Sequence, residues 1–276
     1  MPNLPDHEVA IAAATAGAAE LRAAYGGDLT RIAKSATDFA TTADLASERA
    51  IMSVLSAHRP LDDREGEETG LSGAGAERRW LVDPLCGTVN FAAATPLACV
   101  NVALVAGADV LAAAVADPFT GEVFWTDGSR AMVRAVADSS AGLGAGDSPL
   151  RPSRDSGIVD VNADGPLDRP FVGAGLVADP ALRAAWAPRV LSTTLAVAWV
   201  ASGRRAAYVS DGDLAGSVHF TAGIAICAAS GAVVTDLAGA PVHTGPGLIV
   251  AADEQTHSAM VALVGPHLTA ITRHPS

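Results

Sequence analysis

The string Trp80-Leu-Val-Asp-Pro-Leu-Cys-Gly-Thr-Val-Asn-Phe91 carries the residue types of a metal- and phosphate-binding turn, with a thiol in place of one expected carboxylate. A β-prone run, Trp80-Leu-Val82, exits at Asp83-Pro84, and a helix is predicted to open around Gly87-Thr88. Backbone N–H groups at such an opening attract an anion, and Gly87 lets a phosphate approach the backbone closely. A carboxylate at Asp83 beside that anion makes sense if a divalent cation bridges them, because Mg²⁺ takes oxygen ligands and keeps substrate phosphate in its shell. A second oxygen ligand must come from elsewhere, and Glu67 and Glu68 of Gly66-Glu-Glu-Thr69, just ahead of the strand, are the obvious source. A strand end with an ordinary Asp-Pro turn accounts for residues 80–85 but not for the whole string.

The elements around this turn are predicted as follows. Asp6 caps a first helix that ends at Gly26-Gly27. Thr42 or Asp44 caps a second, whose apolar stripe is Ala46, Ala50, Val54 and Ala57, widened by Ile51 and Leu55; His58-Arg59-Pro60 stops it. Strands are expected at Trp80–Val82, Cys99–Val105, Val110–Ala116 and Glu122–Thr126, in an antiparallel pattern. The stretch Asp138–Gly157, rich in Gly, Ser, Asp and Pro, is the expected seam between an N-terminal half, 1–140, bearing the metal and phosphate motif, and a C-terminal half, 141–276, bearing substrate-side residues. Beyond it come a strand at Ile158–Asn162, a short helix at Asp179–Ala187, helices at Ser192–Ser202 and Thr221–Ser230, and strands at Ala232–Thr235 and Leu248–Ala251. The whole is an alternating α/β chain with two sheets.

Composition narrows the function. The 276 residues are half apolar, enough for a substantial core, and 30 acidic against 18 basic residues give a net charge of -12 that opposes attraction to a polyanion. Nucleic acid is therefore not an expected partner. The most apolar stretch, Leu97–Ala116, is broken by Asn101, Gly107 and Asp109, so it reads as two buried strands and a turn and not as a membrane span. Cys86, Cys99 and Cys227 are odd in number and widely spaced, propose no disulfide framework and suit a reducing, cytoplasmic setting; Cys99 and Cys227 read as buried core residues.

With these residues in view, the chain resembles the inositol monophosphatase superfamily of Mg²⁺-dependent sugar-phosphate phosphatases. The matches are Gly66, Glu67, Glu68, Trp80, Asp83, Pro84, Leu85, Gly87, Thr88, Asn90 and Phe91, together with Lys34, Asp38-Phe-Ala-Thr-Thr-Ala-Asp44-Leu-Ala-Ser-Glu48, Ala222-Gly223 and Ser230-Gly-Ala-Val-Val-Thr-Asp236. They run in order along nearly the whole chain. The resemblance implies a layered α-β-α-β-α sandwich, with the site at the junction of the two halves, and a homodimer. It implies that Glu67, Asp83 and the Leu85 carbonyl hold a first metal and that Asp44 and Thr88 orient the attacking water. The backbone at Gly87-Thr88 would hold phosphate, and Ser192, Thr193 and Thr194 would lie at the substrate's ring. Asp44 is equally well explained as a helix cap.

The chain departs from the family at its second metal. Cys86 stands where the carboxylate after Leu85 belongs, and Val218-His219-Phe-Thr-Ala-Gly223 stands where a Trp-Asp motif belongs. Across the site, Cys86 and His219 suit a softer ion such as Zn²⁺. They would also make a Cys-His pair, with the thiol activated by the helix opening. Simple decay of the site is the third option. The favoured reading is an enzyme acting on a small phosphorylated sugar, cyclitol or nucleoside with a non-standard site for Mg²⁺, Mn²⁺ or Zn²⁺. Its alternatives are a repurposed Cys86/His219-dependent enzyme without phosphatase activity and a non-catalytic, ligand-binding pseudophosphatase needing no metal.

Overall fold

In the computed structural model, residues 4–35, 39–135, 146–165, 170–212 and 214–272 are described. Asp38, the His274 end of the chain and residues 138–145 of the expected seam lie outside them. Two compact units form: one comprises Met1–Pro149 with Thr193–Leu195 and Val218–Ile226, the other Leu150–Ser192, Ala196–Ser217 and Cys227–Ser276.

In the first unit the chain runs through α1 (Asp6–Ala24), β1 (Arg31–Ala33), β2 (Phe39–Thr41), α2 (Thr42–His58), β3 (Asp63–Gly66), β4 (Gly70–Ser72), β5 (Arg78–Cys86), α3 (Thr88–Ala92), β6 (Cys99–Ala106), β7 (Asp109–Ala116), β8 (Glu122–Thr126), β9 (Ala131–Ala135) and β10 (Asp147–Pro149). Strands β3 to β10 form one sheet of order β10-β9-β8-β7-β6-β5-β3-β4, while β1 and β2 pair separately. The sheet is antiparallel except for the β3–β5 pair, which is parallel. Strand alternation sends Trp80, Val82, Val100, Val102, Leu104, Ala112 and Ala114 to one face, where they bury Val9, Ala10, Ala13 and Ala14 of α1 and Ile51 and Leu55 of α2. Alanines on both sides of this contact let helix and sheet approach closely.

Helix boundaries refine the sequence expectations. The first helix is capped by the backbone of Pro5, not by Asp6, whose carboxylate instead accepts from Arg59 and Arg78. The second helix is capped by Thr41, and Asp44 at its third position closes a capping box. Its buried face is Ala43, Ser47, Ile51 and Leu55 with Asp44 and Glu48, so the expected Ala46-Ala50-Val54-Ala57 stripe is rotated toward solvent and Ala57 is exposed. Three polar residues on the inner face, Asp44, Ser47 and Glu48, interrupt its apolar periodicity.

The second unit holds β11 (Ile158–Val161), α4 (Val172–Ala178), α5 (Pro180–Ala185), β12 (Ala187–Val190), most of α6 (Leu195–Ala201), β13 (Ala207–Ser210), the end of α7 (Thr221–Ser230), β14 (Val233–Thr235), β15 (Leu248–Ala251) and α8 (Glu254–Thr272). Its sheet, β12-β11-β13-β15-β14, is mixed, and Val172, Leu176, Met260 and Val264 of the helices pack on Val159, Val161, Val209 and Ile249. Three sheets are therefore present among the described residues, where two were expected. No described helix is long and apolar enough to cross a membrane.

Candidate active site

Strand β5 builds the site through a defect in its ladder. Asp83 pairs with Asn101 and Cys86 with Cys99, so three residues of β5 advance against two of β6. Pro84, which has no N–H to give to a ladder, sits in the bulge. Without the extra residue, Asp83 and Cys86 would point to opposite faces. With it they share the face of Cys99 and Asn101, opposite the one covered by α1 and α2.

Asp83 is fully buried. Its Oδ1 accepts from the Leu85 backbone N–H at 3.1 Å, and its Oδ2 accepts from Asn101 Nδ2 at 3.3 Å. His219 Nδ1 lies 2.8 Å from the same Oδ2 and 3.9 Å from Glu67 Oε2. Burial works against the imidazolium, but the hydrogen bond and charge of Asp83, with Cys86 and Glu67 behind them, outweigh it and push His219 up to about 10. Burial and the Asp83 charge together push Glu67 up to about 8, against the pull of His219 and Lys34. Lys34 Nζ donates to Glu67 Oε1 at 2.7 Å and to Glu68 Oε1 at 2.6 Å. Gly66 makes room for this acidic arm, because a Cβ there would stand 2.6 Å from the buried Glu48 carboxylate, which accepts from the Glu68 N–H.

Asp44 both closes the capping box and reaches Thr88. Its Oδ2 accepts from the Thr41 backbone and hydroxyl, while its Oδ1 lies 3.2 Å from Thr88 Oγ1. That hydroxyl is also 3.0 Å from the Leu85 carbonyl oxygen. Burial, only partly offset by these hydrogen bonds, raises the Asp44 carboxyl above its ordinary range. Gly87 caps α3 at φ 104°, a left-handed conformation that glycine adopts without strain. The helix that follows is only five residues long, so the helix opening expected to activate Cys86 is a stub.

The surroundings of the Cys86 thiol oppose its ionisation. Its hydrogen bond with Cys99, its burial and the Asp83 charge all raise it well above the ordinary thiol range, and His219 only partly compensates. Thr194 donates its backbone N–H to Cys86 Sγ at 3.2 Å, and Thr193 Oγ1 donates to the Cys86 carbonyl at 3.2 Å. Both threonines are buried, and the Thr194 hydroxyl pairs with Asn101 and Cys99 while the Thr193 hydroxyl and the Thr194 N–H are bonded to Cys86. Ser192 is exposed in the second unit and donates to Asp164.

Sequence reasoning missed two members of this arrangement, Asn101 and Cys99. Asn101 bridges Asp83 and Thr194, donating to Thr194 Oγ1 at 2.9 Å. The signal was available: an amide two residues from a cysteine, on one face of an otherwise apolar strand.

Among the described residues, one ligand atom each from Asp83, Cys86 and His219 lie within 4.8 Å of one another. A carboxylate, a thiol and an imidazole converging in this way suit a borderline-soft divalent ion such as Zn²⁺, with a position left open. For Mg²⁺ the fit is poorer, because the Asp83 and Glu67 oxygens face an imidazole nitrogen where that ion would want oxygen.

Comparison with known proteins agrees with the site's context. A profile of the inositol monophosphatase family matches residues 4–268. The chain is 32% identical over 244 residues to inositol-1-monophosphatase ImpA of Mycolicibacterium smegmatis, covering 84% of this chain and 82% of that protein. It is 30% identical over 251 residues to Nus factor SuhB of Pseudomonas aeruginosa, covering 85% and 86%. Among solved structures, the Thermotoga maritima IMPase TM1415 superposes with a TM-score of 0.78 at 19% identity, over 97% of this chain and 100% of that one. The Bartonella henselae extragenic suppressor protein suhB does so with a TM-score of 0.76 at 23% identity, over 93% and 97%. These likenesses show the fold.

Proposed function

Because the chain belongs to the inositol monophosphatase family, we propose that it hydrolyses the phosphate ester of a small sugar, cyclitol or nucleoside at a metal centre of altered ligand chemistry. The observation that carries this is the convergence of Asp83, Cys86 and His219 beside the Glu67 carboxylate. The names of relatives that are inositol-1-monophosphatases support the substrate class.

Asp83, Cys86 and His219 would hold a divalent ion, with Glu67 and the Leu85 carbonyl beside them, and the ion would supply Lewis-acid polarisation of a phosphoryl oxygen. The remaining work falls to the chain's own groups. Thr88 Oγ1 hydrogen-bonds the attacking water and relays its proton to Asp44, whose raised carboxyl is a better base than an exposed aspartate. The Gly87-Thr88 backbone binds the phosphate. Asn101 fixes the rotamer of Asp83, and Thr193 and Thr194 fix Cys86. A reaction in which Cys86 attacks with His219 as its base has less support, since His219 directs Nδ1 to Asp83 and the thiol is held protonated.

The test is phosphate release from a panel of sugar, cyclitol and nucleoside phosphates with EDTA, Mg²⁺, Mn²⁺ or Zn²⁺. Metal-dependent release that Asp83→Asn abolishes is the expected result. Release unaffected by EDTA, or none with any ion from the folded protein, would overturn the proposal.

A further inference from the structure

Two of the three cysteines are placed opposite each other. Cys86 and Cys99 are directly paired across β5 and β6. Residues opposite one another in an antiparallel pair have Cα atoms about 4.5–5.5 Å apart. Disulfides span about 4.4–6.8 Å between Cα atoms, so this register meets the backbone requirement. The sulfurs also share a neighbour. Cys86 Sγ lies 3.2 Å from Thr194 N, and Cys99 Sγ lies 3.5 Å from Thr194 Oγ1. Cys99 is fully buried and Cys86 half-buried, so of the two residues Cys86 is the one that approaches solvent. The third cysteine, Cys227, is buried with its thiol on the Val197 carbonyl.

We propose that Cys86 and Cys99 are a cross-strand redox pair that closes to a disulfide and thereby withdraws Cys86 from the metal cluster. The disulfide stands on strand register and sulfur placement alone; its effect on metal rests on the functional reading above. The oxidant is a low-molecular-weight disulfide such as oxidised glutathione. Cys86 sulfur attacks it, forming a mixed disulfide and releasing one reduced glutathione. Cys99 sulfur then attacks the Cys86 sulfur of that bond, forming the Cys86–Cys99 bond and releasing the second. Two protein thiols are oxidised, one disulfide of the reagent is reduced, and the two thiol protons leave on the two glutathiones.

The experiment equilibrates the metal-free, full-length protein in glutathione buffers of rising oxidised fraction, quenches with acid, alkylates the remaining thiols in denaturant and maps chymotryptic peptides. Circular dichroism monitors the native fold throughout. Cys86 and Cys99 should lose their label together through a link to each other, Cys227 should keep its label, and dithiothreitol should restore both thiols. In Cys99→Ala the reaction should stop at a mixed disulfide on Cys86. Independent loss of the two labels, a stable mixed disulfide on Cys86 in the unmodified protein, a link to Cys227 or to a second chain, or no reaction in the most oxidising buffer would each overturn the proposal. A parallel Zn²⁺ titration should find affinity lowered by about 10–100-fold or more in the oxidised form. If the disulfide forms and Zn²⁺ affinity is unchanged, the redox pair stands and the assignment of Cys86 as a ligand falls.

Discussion

His219 Nδ1 stands 2.8 Å from Asp83 Oδ2 and 3.9 Å from Glu67 Oε2, so a single imidazole faces two acids. In metal-free protein it carries a proton through neutrality, since its pKa is pushed to about 10 from an ordinary 6.5. A folded pKa raised above the unfolded value gives stability that is complete below the unfolded value and lost as pH rises through the folded one. The stability difference between wild type and His219→Gln should therefore shrink between about pH 6.5 and 10. Urea unfolding across that range reads it directly, and a difference independent of pH would contradict the pairing.

Asp83→Asn should keep the fold and lose the metal. Removing groups that merely orient a ligand costs about 10–100-fold in affinity, so loss of the shared carboxylate should cost at least as much. Calorimetry with Zn²⁺ and Mn²⁺ gives the answer, and unchanged binding would displace the centre from Asp83.

Alkylation of Cys86 by iodoacetamide should be slow at neutral pH and accelerate only in alkaline solution. Its neighbours Asp83 and Cys99 oppose the thiolate, and the five-residue α3 supplies little field to favour it. A rate already maximal at pH 7 would restore the activated-thiol expectation.

Asn101→Leu should destabilise the protein by about 1–3 kcal/mol, because it strips one donor from a buried carboxylate and one from Thr194 Oγ1. Denaturant midpoints measure this. The same substitution should weaken metal binding by freeing the Asp83 rotamer.

Gly66→Ala should cost about 1–3 kcal/mol through overpacking, since its Cβ would lie 2.6 Å from the Glu48 carboxylate. Gly70→Ala is the control for this neighbourhood: nothing lies within 4 Å of a Cβ there, although its φ of 70° disfavours alanine by itself. A milder effect at Gly66 than at Gly70 would show that Glu48 yields freely.

Much of the fold was legible because its apolar strands and helices announce themselves. Glu122–Thr126, Thr221–Ser230 and Leu248–Ala251 match the expected spans to the residue. Short edge strands such as β4 and β10 were not legible, since three exposed residues carry no alternation. Helix α8 was hidden by Gly265-Pro266, a stop signal that it runs through. In the site, motif context picked out Asp83, Cys86, His219 and Asp44. It could not reveal that Pro84 shifts the register and so turns Asp83 and Cys86 to one face. Nor could it foresee that His257 and His267 are tied to Thr235 at 2.8 Å and Asp179 at 2.9 Å. Those contacts join residues too far apart in sequence for any local pattern to register.

The first unit borrows Thr193–Leu195 and Val218–Ile226 from far along the chain, and this sets an order of events at the ribosome. The eight-stranded sheet can assemble once residue 149 has emerged, yet at that stage Asp83 has no imidazole and Cys86 no amide facing it. A nascent chain therefore holds Asp83 by the Leu85 amide and Asn101 alone until about residue 226 is delivered, and closing so long a loop adds only slowly to the entropic cost. The cluster of Asp83, Cys86 and His219 is thus completed late in synthesis, and a chain truncated before His219 lacks its imidazole altogether.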